Sequence, residues 1–207
     1  MKKPLIILTG PTAVGKTKLS ISLAKAVNGA IISADSMQVY RHMDIGSAKI
    51  RPEEMCGVPH YLIDVLDPSE EFHVVKFVEL AHEAMEKIYA AGQIPIVTGG
   101  TGFYIQALLK EVDFTESHGE LPIRKQLEEK AATEEGAAEL YRELSEVDPA
   151  SAETIHPNNV KRVIRALEYY HETGQKISEH NEEQKQKESP YCSASVSYTH
   201  LRAHETR

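Results

Sequence analysis

The sequence contains only two cysteines, Cys56 and Cys192, which lie far apart and show no motif spacing. A disulfide framework needs several paired cysteines and a zinc site needs closely spaced ligands, so we expect neither. The sequence also lacks a long apolar run. The stretch LIIL near the amino terminus is too short for an export signal or a membrane span. We therefore expect a cytoplasmic chain with no membrane partner.

Basic residues are in the minority, and the 207-residue chain carries a formal net charge of −8. Taken alone, this charge disfavours nucleic acid as a partner. The excess is local, however, because residues 111–150 carry 12 acidic and 4 basic side chains and the segments on either side are balanced. A local basic patch elsewhere is compatible with this distribution, so the net charge excludes no class of function.

Short apolar runs alternate with longer amphipathic segments over the first 110 residues. The chain shows no internal repeat. Short apolar runs bounded by turn residues predict strands covered on both faces, at residues 5–8, 30–34, 61–65 and 94–97. Longer segments with helical periodicity predict helices at 16–27 and 74–91. This order is typical of a parallel sheet with right-handed crossovers.

The pattern changes after residue 111, and residues 121–187 show polar helical stretches without a convincing strand. Thr133 is a candidate N-cap for a helix through residue 146, Asp148 and Pro149 begin a short helix, and Asn158 or Asn159 precedes a helix over 160–173. We therefore predict three regions: an α/β core over 1–116, a helical insertion over 117–187, and a return to the core with a tail over 188–207. The tail from Ser193 shows neither helical periodicity nor a clear strand boundary, so we expect it to be weakly ordered or non-native.

The segment GPTAVGKT at residues 10–17 fits the phosphate-loop pattern and lies between the first strand and the first helix. Its two outer glycines let the backbone wrap closely, so that N–H groups point at phosphate oxygens. Lys16 adds a positive charge, and the Thr17 hydroxyl can hold Mg²⁺. The candidate phosphate-binding residues are Gly10, Pro11, Thr12, Ala13, Val14, Gly15, Lys16 and Thr17.

Two further segments should meet the phosphate loop, because the carboxyl ends of parallel strands share one edge of the sheet. Asp35 and Ser36 follow the second strand. Asp35 is a candidate Mg²⁺ ligand or general base, or only a helix N-cap. In VTGGTG the glycines permit close approach, and Thr101 is either a hydroxyl donor to a ligand or a helix N-cap. The fourth strand ends in Thr-Gly-Gly, where a phosphate-loop kinase usually has an aspartate, which weakens a kinase assignment.

Five segments together carry a resemblance to a known family. In order, they are GPTAVGKT, SADSMQVYRHMDIGSAK, VPHYLIDVLDP, VTGGTGFYIQALL and IHPNNVKRVIRALE. This chain resembles the tRNA dimethylallyltransferases over roughly residues 4–191. The resemblance implies a phosphate-loop NTPase-like parallel sheet with an inserted helical domain. It also implies transfer of a dimethylallyl group from dimethylallyl diphosphate to N6 of adenosine-37 in tRNA, with Mg²⁺ and release of diphosphate.

The resemblance also assigns roles. It makes Asp35 the general base, with Thr101 beside the leaving diphosphate, and it places residues 35–38 against the target nucleotide: Asp35, Ser36, Met37 and Gln38. The helical insertion would contact the anticodon stem-loop, and the best candidates for its phosphate contacts are Arg124, Lys161, Arg162 and Arg165. For Arg162 and Arg165 a solvated helix face is the simpler alternative. We expect the chain to be a monomer.

The resemblance stops where the chain should return to its core. Family members are longer, and a later arginine near the diphosphate has no counterpart here. We therefore expect a truncated chain whose sheet lacks a strand and whose activity is low. Three alternatives remain open: an adenylate isopentenyltransferase, a phosphate-loop small-molecule kinase, and a non-catalytic RNA-binding fragment.

Overall fold

The structure is a computed structural model that describes residues 2–11, 14–110 and 122–197. These residues form two compact units. Residues up to 110 together with 188–197 make one, which we call the sheet unit, and residues 122–187 make the other, the helical unit. Within these ranges no helix is both long enough and apolar enough to cross a membrane.

Parallel strands and covering helices make up the sheet unit. The strands are β1 (Lys3–Thr9), β2 (Gly29–Ser33), β3 (His60–Tyr61), β4 (Ile94–Gly99) and β5 (Tyr191–Ser197). The helices are α1 (Lys16–Val27), α2 (Val74–Ala90) and α3 (Gly102–Lys110). The sheet runs in the order β3-β2-β4-β1-β5, and all its strand pairs are parallel. The predicted α/β class with a phosphate-loop-type parallel sheet is confirmed.

Both faces of the sheet are buried at its centre. Consecutive residues of a strand point to opposite faces. Ile32 therefore packs in the cluster that contains Phe77 of α2, whereas Ile31 packs with Ala24 of α1 on the other face. All four side chains are almost fully buried. This two-sided burial explains why the inner strands are continuous apolar runs.

The strand register aligns the carboxyl ends of β1, β4 and β2. Thr9 at the end of β1 pairs with Gly99 at the end of β4, and Ser33 at the end of β2 pairs with Thr98. The segments that follow these three strands consequently leave the sheet at the same edge. In parallel sheets this edge is where ligands bind.

The predicted strand at 61–65 is wrong beyond its first residue. β3 ends at Tyr61, because Leu62 and Asp64 adopt φ of 62° and 55°, in the left-handed region that a strand cannot contain. The chain then turns back, and the N–H groups of Val65 and Leu66 both donate to the carbonyl of Val39, at 2.8 and 3.1 Å. The apolar pattern of this segment reflects packing against that loop, since Leu62 and Leu66 are buried.

The carboxyl-terminal segment also differs from expectation. Residues 193–197, expected to be weakly ordered, belong to β5, which pairs with β1 from Lys3↔Tyr191 to Thr9↔Ser197. The sheet therefore contains a strand in a part of the chain where we expected none. Its side chains are exposed after Tyr191, so backbone pairing holds this edge strand and its sequence shows no apolar signal. Residues 198–207 lie outside the described residues.

The helical unit contains five helices packed on their own apolar core. They are α4 (Pro122–Lys130), α5 (Glu134–Val147), α6 (Pro149–Thr154), α7 (Val160–Thr173) and α8 (Ile177–Gln186). Leu140 and Leu144 of α5 are fully buried with Leu167 of α7. Thr133 caps α5 as predicted, its side chain accepting from the N–H of Gly136 at 3.1 Å. Asn159 occupies the N-cap position of α7, but its side chain makes no capping hydrogen bond.

Candidate phosphate-binding cleft

The phosphate loop leaves β1 at Gly10 and enters α1 at Lys16. Gly10 and Gly15 have φ of 152° and 92°, values that favour glycine, which explains the two glycines of the motif. Among the described residues no side chain caps α1, and its first turn carries no acidic residue, so its first N–H groups suit an anion. Thr12 and Ala13 lie outside the described residues, while Val14 is buried.

The Lys16 side chain bends back over its own loop. Its ammonium donates to the carbonyl of Gly10 at 2.8 Å and to the carbonyl of Pro11. Burial lowers the pKa of Lys16 from its ordinary value, and the negative charge of Asp35 opposes that decrease. Lys16 and Asp35 line the same cleft, as the strand topology predicts.

Asp35 is half-buried just beyond the end of β2. Its Oδ1 accepts from the N–H of Met37 at 2.8 Å and from the N–H of Gln38 at 3.4 Å, so this oxygen caps the turn over 36–39. Its Oδ2 accepts no hydrogen bond from the described part of the chain. The helix N-cap considered from the sequence is wrong, because Asp35 caps a turn and no helix directly follows it in the described chain. One carboxylate oxygen is therefore structural and the other is available to a ligand.

The loop after β4 approaches both neighbouring strands. A Cβ on Gly99 would lie 2.3 Å from the carbonyl oxygen of Ala34, far inside contact distance, so only glycine fits there. Gly100 lies close to the Gly10 carbonyl. Thr101 stands immediately before α3, and its carbonyl accepts from Tyr104 and Ile105. Within the described residues its hydroxyl has no hydrogen-bond partner.

A cleft of about 890 Å³ opens along this edge of the sheet. Its lining includes most of the predicted site of the sheet unit, namely Gly15, Lys16, Thr17, Asp35, Ser36, Met37, Gln38 and Thr101. The sequence analysis missed one wall, which residues Gly46, Ser47 and Ala48 form. Gly46 is a turn-forming residue, and this was the local sequence signal for the wall. In the structure Gly46 and Ala48 adopt φ of 80° and 49°.

The donor set of the cleft suits Mg²⁺ held jointly with phosphate. Among the described residues no group of three His, Cys, Asp or Glu side chains is arranged to bind a metal ion. Mg²⁺ in phosphate-transfer sites usually takes only one or two protein oxygens and completes its shell with phosphate and water. Thr17, whose hydroxyl lies at the start of α1 in the cleft lining, fits that limited role.

The residues predicted to contact RNA phosphates lie in the helical unit, where two of them share one partner. Glu168 is fully buried, and its Oε2 accepts from Arg124 at 3.3 Å and from Arg165 at 3.1 Å. Arg124 also donates to Glu128 at 3.0 Å. The two arginine side chains remain 38% and 35% exposed, so each keeps donors at the surface. Lys161 and Arg162 are exposed and form no ion pair with the described residues.

Comparison with known proteins identifies the family. A sequence model described as IPP transferase matches residues 38–206. The chain belongs to the IPP transferase family. The match reaches residue 206 and therefore includes the tail from Ser193, which the sequence resemblance did not cover.

Comparison with individual relatives supports the same family assignment. It is 66% identical over 189 residues to a tRNA dimethylallyltransferase of Lachnoclostridium phytofermentans, covering 91% of this chain and 60% of the relative. It is 52% identical over 183 residues to one from Bacillus mycoides, covering 88% and 57%. The chain thus spans roughly 60% of the length of these curated relatives.

Solved structures give the same result. A eukaryotic dimethylallyltransferase acting on tRNA superimposes with a TM-score of 0.82 at 38% identity, over 95% of this chain and 48% of that one. A full-length tRNA isopentenylpyrophosphate transferase from Bacillus halodurans gives 0.61 at 44% identity, over 96% and 60%. The family resemblance stated from the sequence motifs is confirmed.

Proposed function

We propose that the chain carries the substrate-binding cleft of a tRNA dimethylallyltransferase. It would transfer the dimethylallyl group of dimethylallyl diphosphate to N6 of adenosine-37 in tRNA, with diphosphate as the leaving group. The observation that carries the proposal is a single cleft that joins the phosphate loop to Asp35, while β4 ends in Thr98 and Gly99 with no carboxylate. That arrangement suits an expelled diphosphate better than a transferred phosphoryl group.

The phosphate loop stabilises the leaving group. When the allylic C–O bond breaks, its electron pair stays on the diphosphate oxygen, and donors already directed at that oxygen lower the barrier. The free N–H groups of α1, the Lys16 ammonium and the Thr101 hydroxyl are such donors. Lys16 would exchange its bonds with the Gly10 and Pro11 carbonyls for bonds with phosphate oxygens. Thr17 would help to hold Mg²⁺ through its hydroxyl, and the ion would supply further charge neutralisation when bound.

Asp35 acts on the acceptor substrate, the adenosine amine, as the general base. A new C–N bond forms between the allylic carbon and the N6 amine, and the amine must lose one proton to end neutral. Oδ2 of Asp35 accepts that proton, while Oδ1 keeps the carboxylate oriented through the Met37 N–H. Orientation of both substrates in one cleft supplies much of the remaining rate enhancement.

The helical unit binds the RNA backbone in this proposal. The exposed donors of Arg124 and Arg165, held by Glu168, would contact phosphates together with Lys161 and Arg162. Such contacts position the anticodon stem-loop without reading its sequence. The target base must leave its stack to reach a cleft of this kind.

Calorimetric titration of the chain with dimethylallyl diphosphate and with ATP, each with Mg²⁺, tests the donor assignment. We expect the allylic diphosphate to bind more tightly. Lys16→Met should weaken it by about tenfold or more, since it removes a charge-assisted contact. Lys25→Met is the matched control, because Lys25 is exposed in the last turn of the same helix. Tighter binding of ATP, or equal losses in both variants, would refute the assignment.

A further inference from the structure

The missed wall of the cleft is held in place by a buried lysine. The Lys49 ammonium donates to the carbonyl of Tyr40 at 2.8 Å, to Oδ1 of Asp44 at 2.8 Å and to Oδ1 of Asp64 at 2.6 Å. Its side chain is only 5% exposed, although both carboxylates are at least half exposed. Three acceptors use all three ammonium protons, so the site is complete without solvent.

These bonds close the loop between Tyr40 and Lys49 at its base. The starting end of the loop is fixed to residues 64–66. Tyr40 pairs with Leu66 as in a strand, and Arg41 donates hydrogen bonds to the carbonyls of Asp64 and Val65. Lys49, at the other end of the loop, binds the same segment through Asp64. The loop is therefore tied at both ends to the segment that follows β3.

Inside the loop, further bonds direct the wall toward Asp35. Gln38, whose N–H donates to Asp35, also donates from Nε2 to the carbonyl of Ala48 at 3.2 Å. Ser47 Oγ donates to the Met43 carbonyl at 2.6 Å. The wall consequently adjoins the Asp35 side of the cleft, and Lys49 forms no hydrogen bond or ion pair with the described residues of the phosphate loop.

Burying the Lys49 ammonium costs desolvation free energy, so a buried lysine at this position requires an explanation. Removing an ammonium from water is unfavourable unless paired charges compensate for it. Burial lowers the pKa of Lys49, but its hydrogen bonds and charge interactions with Asp44 and Asp64 more than compensate, so the pKa lies above its ordinary value. The loop also contains His42 and Ala48 at φ of 62° and 49°, conformations that non-glycine residues keep only when surrounding contacts impose them.

We propose that Lys49 is a positioning residue for the acceptor, holding the wall of Gly46, Ser47 and Ala48 as a preformed surface for the incoming nucleobase. The proposal rests on the proposed function of the cleft. It requires that loss of Lys49 leaves donor binding intact and impairs capture of the acceptor base. This separates Lys49 from Lys16, whose loss affects the donor.

The test compares Lys49→Met with wild type in three measurements. Hydrogen exchange over residues 41–48 should accelerate by about tenfold or more, as expected when a charge-assisted hydrogen bond is lost. The dissociation constant for dimethylallyl diphosphate with Mg²⁺ should stay within about twofold. Capture of the acceptor base is read from 2-aminopurine at the target position of an anticodon stem-loop RNA, and that signal should be lost.

Two further variants keep the test decisive. Lys76→Met is the matched control, because Lys76 is a partly exposed lysine in an ion pair with Glu79 on α2. Asp44→Asn removes one exposed partner of Lys49 without touching the core, and should accelerate loop exchange by a smaller factor than Lys49→Met. If Lys49→Met also accelerates exchange in α2 and β4, it destabilises the whole sheet unit. Asp44→Asn then becomes the variant that tests the role of the loop.

The outcomes distinguish the two proposals. If wild type binds the RNA but never gives the 2-aminopurine signal, the proposed function of the cleft fails. If wild type gives the signal and Lys49→Met and Asp44→Asn retain both that signal and slow loop exchange, the role of Lys49 is wrong.

Discussion

Asp148 ties three helices of the helical unit together, and replacing it with asparagine should destabilise that unit strongly. The residue is 2% exposed and lies between the end of α5 and the start of α6. Oδ1 accepts from the N–H of Ser151 at 3.1 Å and the hydroxyl of Ser178 at 2.6 Å. Oδ2 accepts from the hydroxyl of Ser151 at 2.6 Å and the N–H of Ser178 at 3.0 Å. Ser178 belongs to α8, so one carboxylate joins α6 to α8.

The magnitude follows from the two backbone donors. Each carboxylate oxygen receives one backbone N–H, so an asparagine amide must place its NH₂ group against an N–H in either orientation. The hydroxyls can rotate to become acceptors, but a backbone N–H cannot. Leaving one buried donor unsatisfied costs about 1–3 kcal/mol, and the remaining bonds lose their charge assistance. Since the neutral amide is easier to bury, we expect a net loss of about 2–4 kcal/mol in the unfolding free energy of the helical unit.

Native-state hydrogen exchange with mass spectrometry measures this loss, because it reports each unit separately. The slowest amides of α5 and α7 should exchange faster in Asp148→Asn, while those of β1 and β4 should not change. Asp67→Asn is the control, since Asp67 makes similar bonds to Ser69 in an exposed turn. A loss below about 1 kcal/mol would refute the argument from opposed donors.

The pH dependence has a definite sign. Burial raises the pKa of Asp148, but the hydrogen bonds from Ser151 and Ser178 outweigh that effect, so the folded-state pKa lies below its ordinary value. The carboxylate therefore contributes its stability fully above the unfolded pKa and loses it as pH falls through the folded pKa. The difference between wild type and Asp148→Asn should be complete at neutral pH and shrink in acid below the unfolded pKa.

Three other substitutions give distinct outcomes. Gly99→Ala should destabilise the sheet unit in urea titrations and abolish diphosphate binding, whereas Gly102→Ala, whose Cβ meets nothing within 4 Å, should do neither. Asp35→Asn should keep diphosphate affinity within about twofold and eliminate prenyl transfer to RNA, because only the proton acceptor is lost; persistent transfer would exclude Asp35 as the base. Glu168→Gln should lower the unfolding free energy of the helical unit by about 1–3 kcal/mol, since Arg124 keeps access to water, and an unchanged urea midpoint would contradict this.

Local rules predicted the elements that hold the phosphate loop. The apolar runs of β1, β2 and β4 and the glycine pattern of residues 10–17 depend on burial and backbone geometry that short segments encode. Parallel topology then sufficed to bring Asp35 and Thr101 to the same cleft.

Long-range pairing determined the parts that the sequence could not predict. β5 is an exposed edge strand whose backbone bonds to β1 leave no periodic apolar trace. The shortening of β3 results from two left-handed residues, Leu62 and Asp64, that have ordinary side chains. The wall formed by Gly46, Ser47 and Ala48 depends on Lys49, which meets a carboxylate 15 residues away. None of these interactions follows from local propensity.

The arginines of the helical unit show how such pairing changes an interpretation. Seen in the sequence, Arg124 and Arg165 are surface cations with independent access to phosphate. In the structure they share the buried carboxylate of Glu168, whose Oε1 has no hydrogen-bond partner among the described residues. The shared carboxylate restrains both guanidinium groups and neutralises one of their two charges. A backbone phosphate would thus meet a pre-oriented pair whose ordering entropy is already lost, rather than two flexible and fully charged side chains.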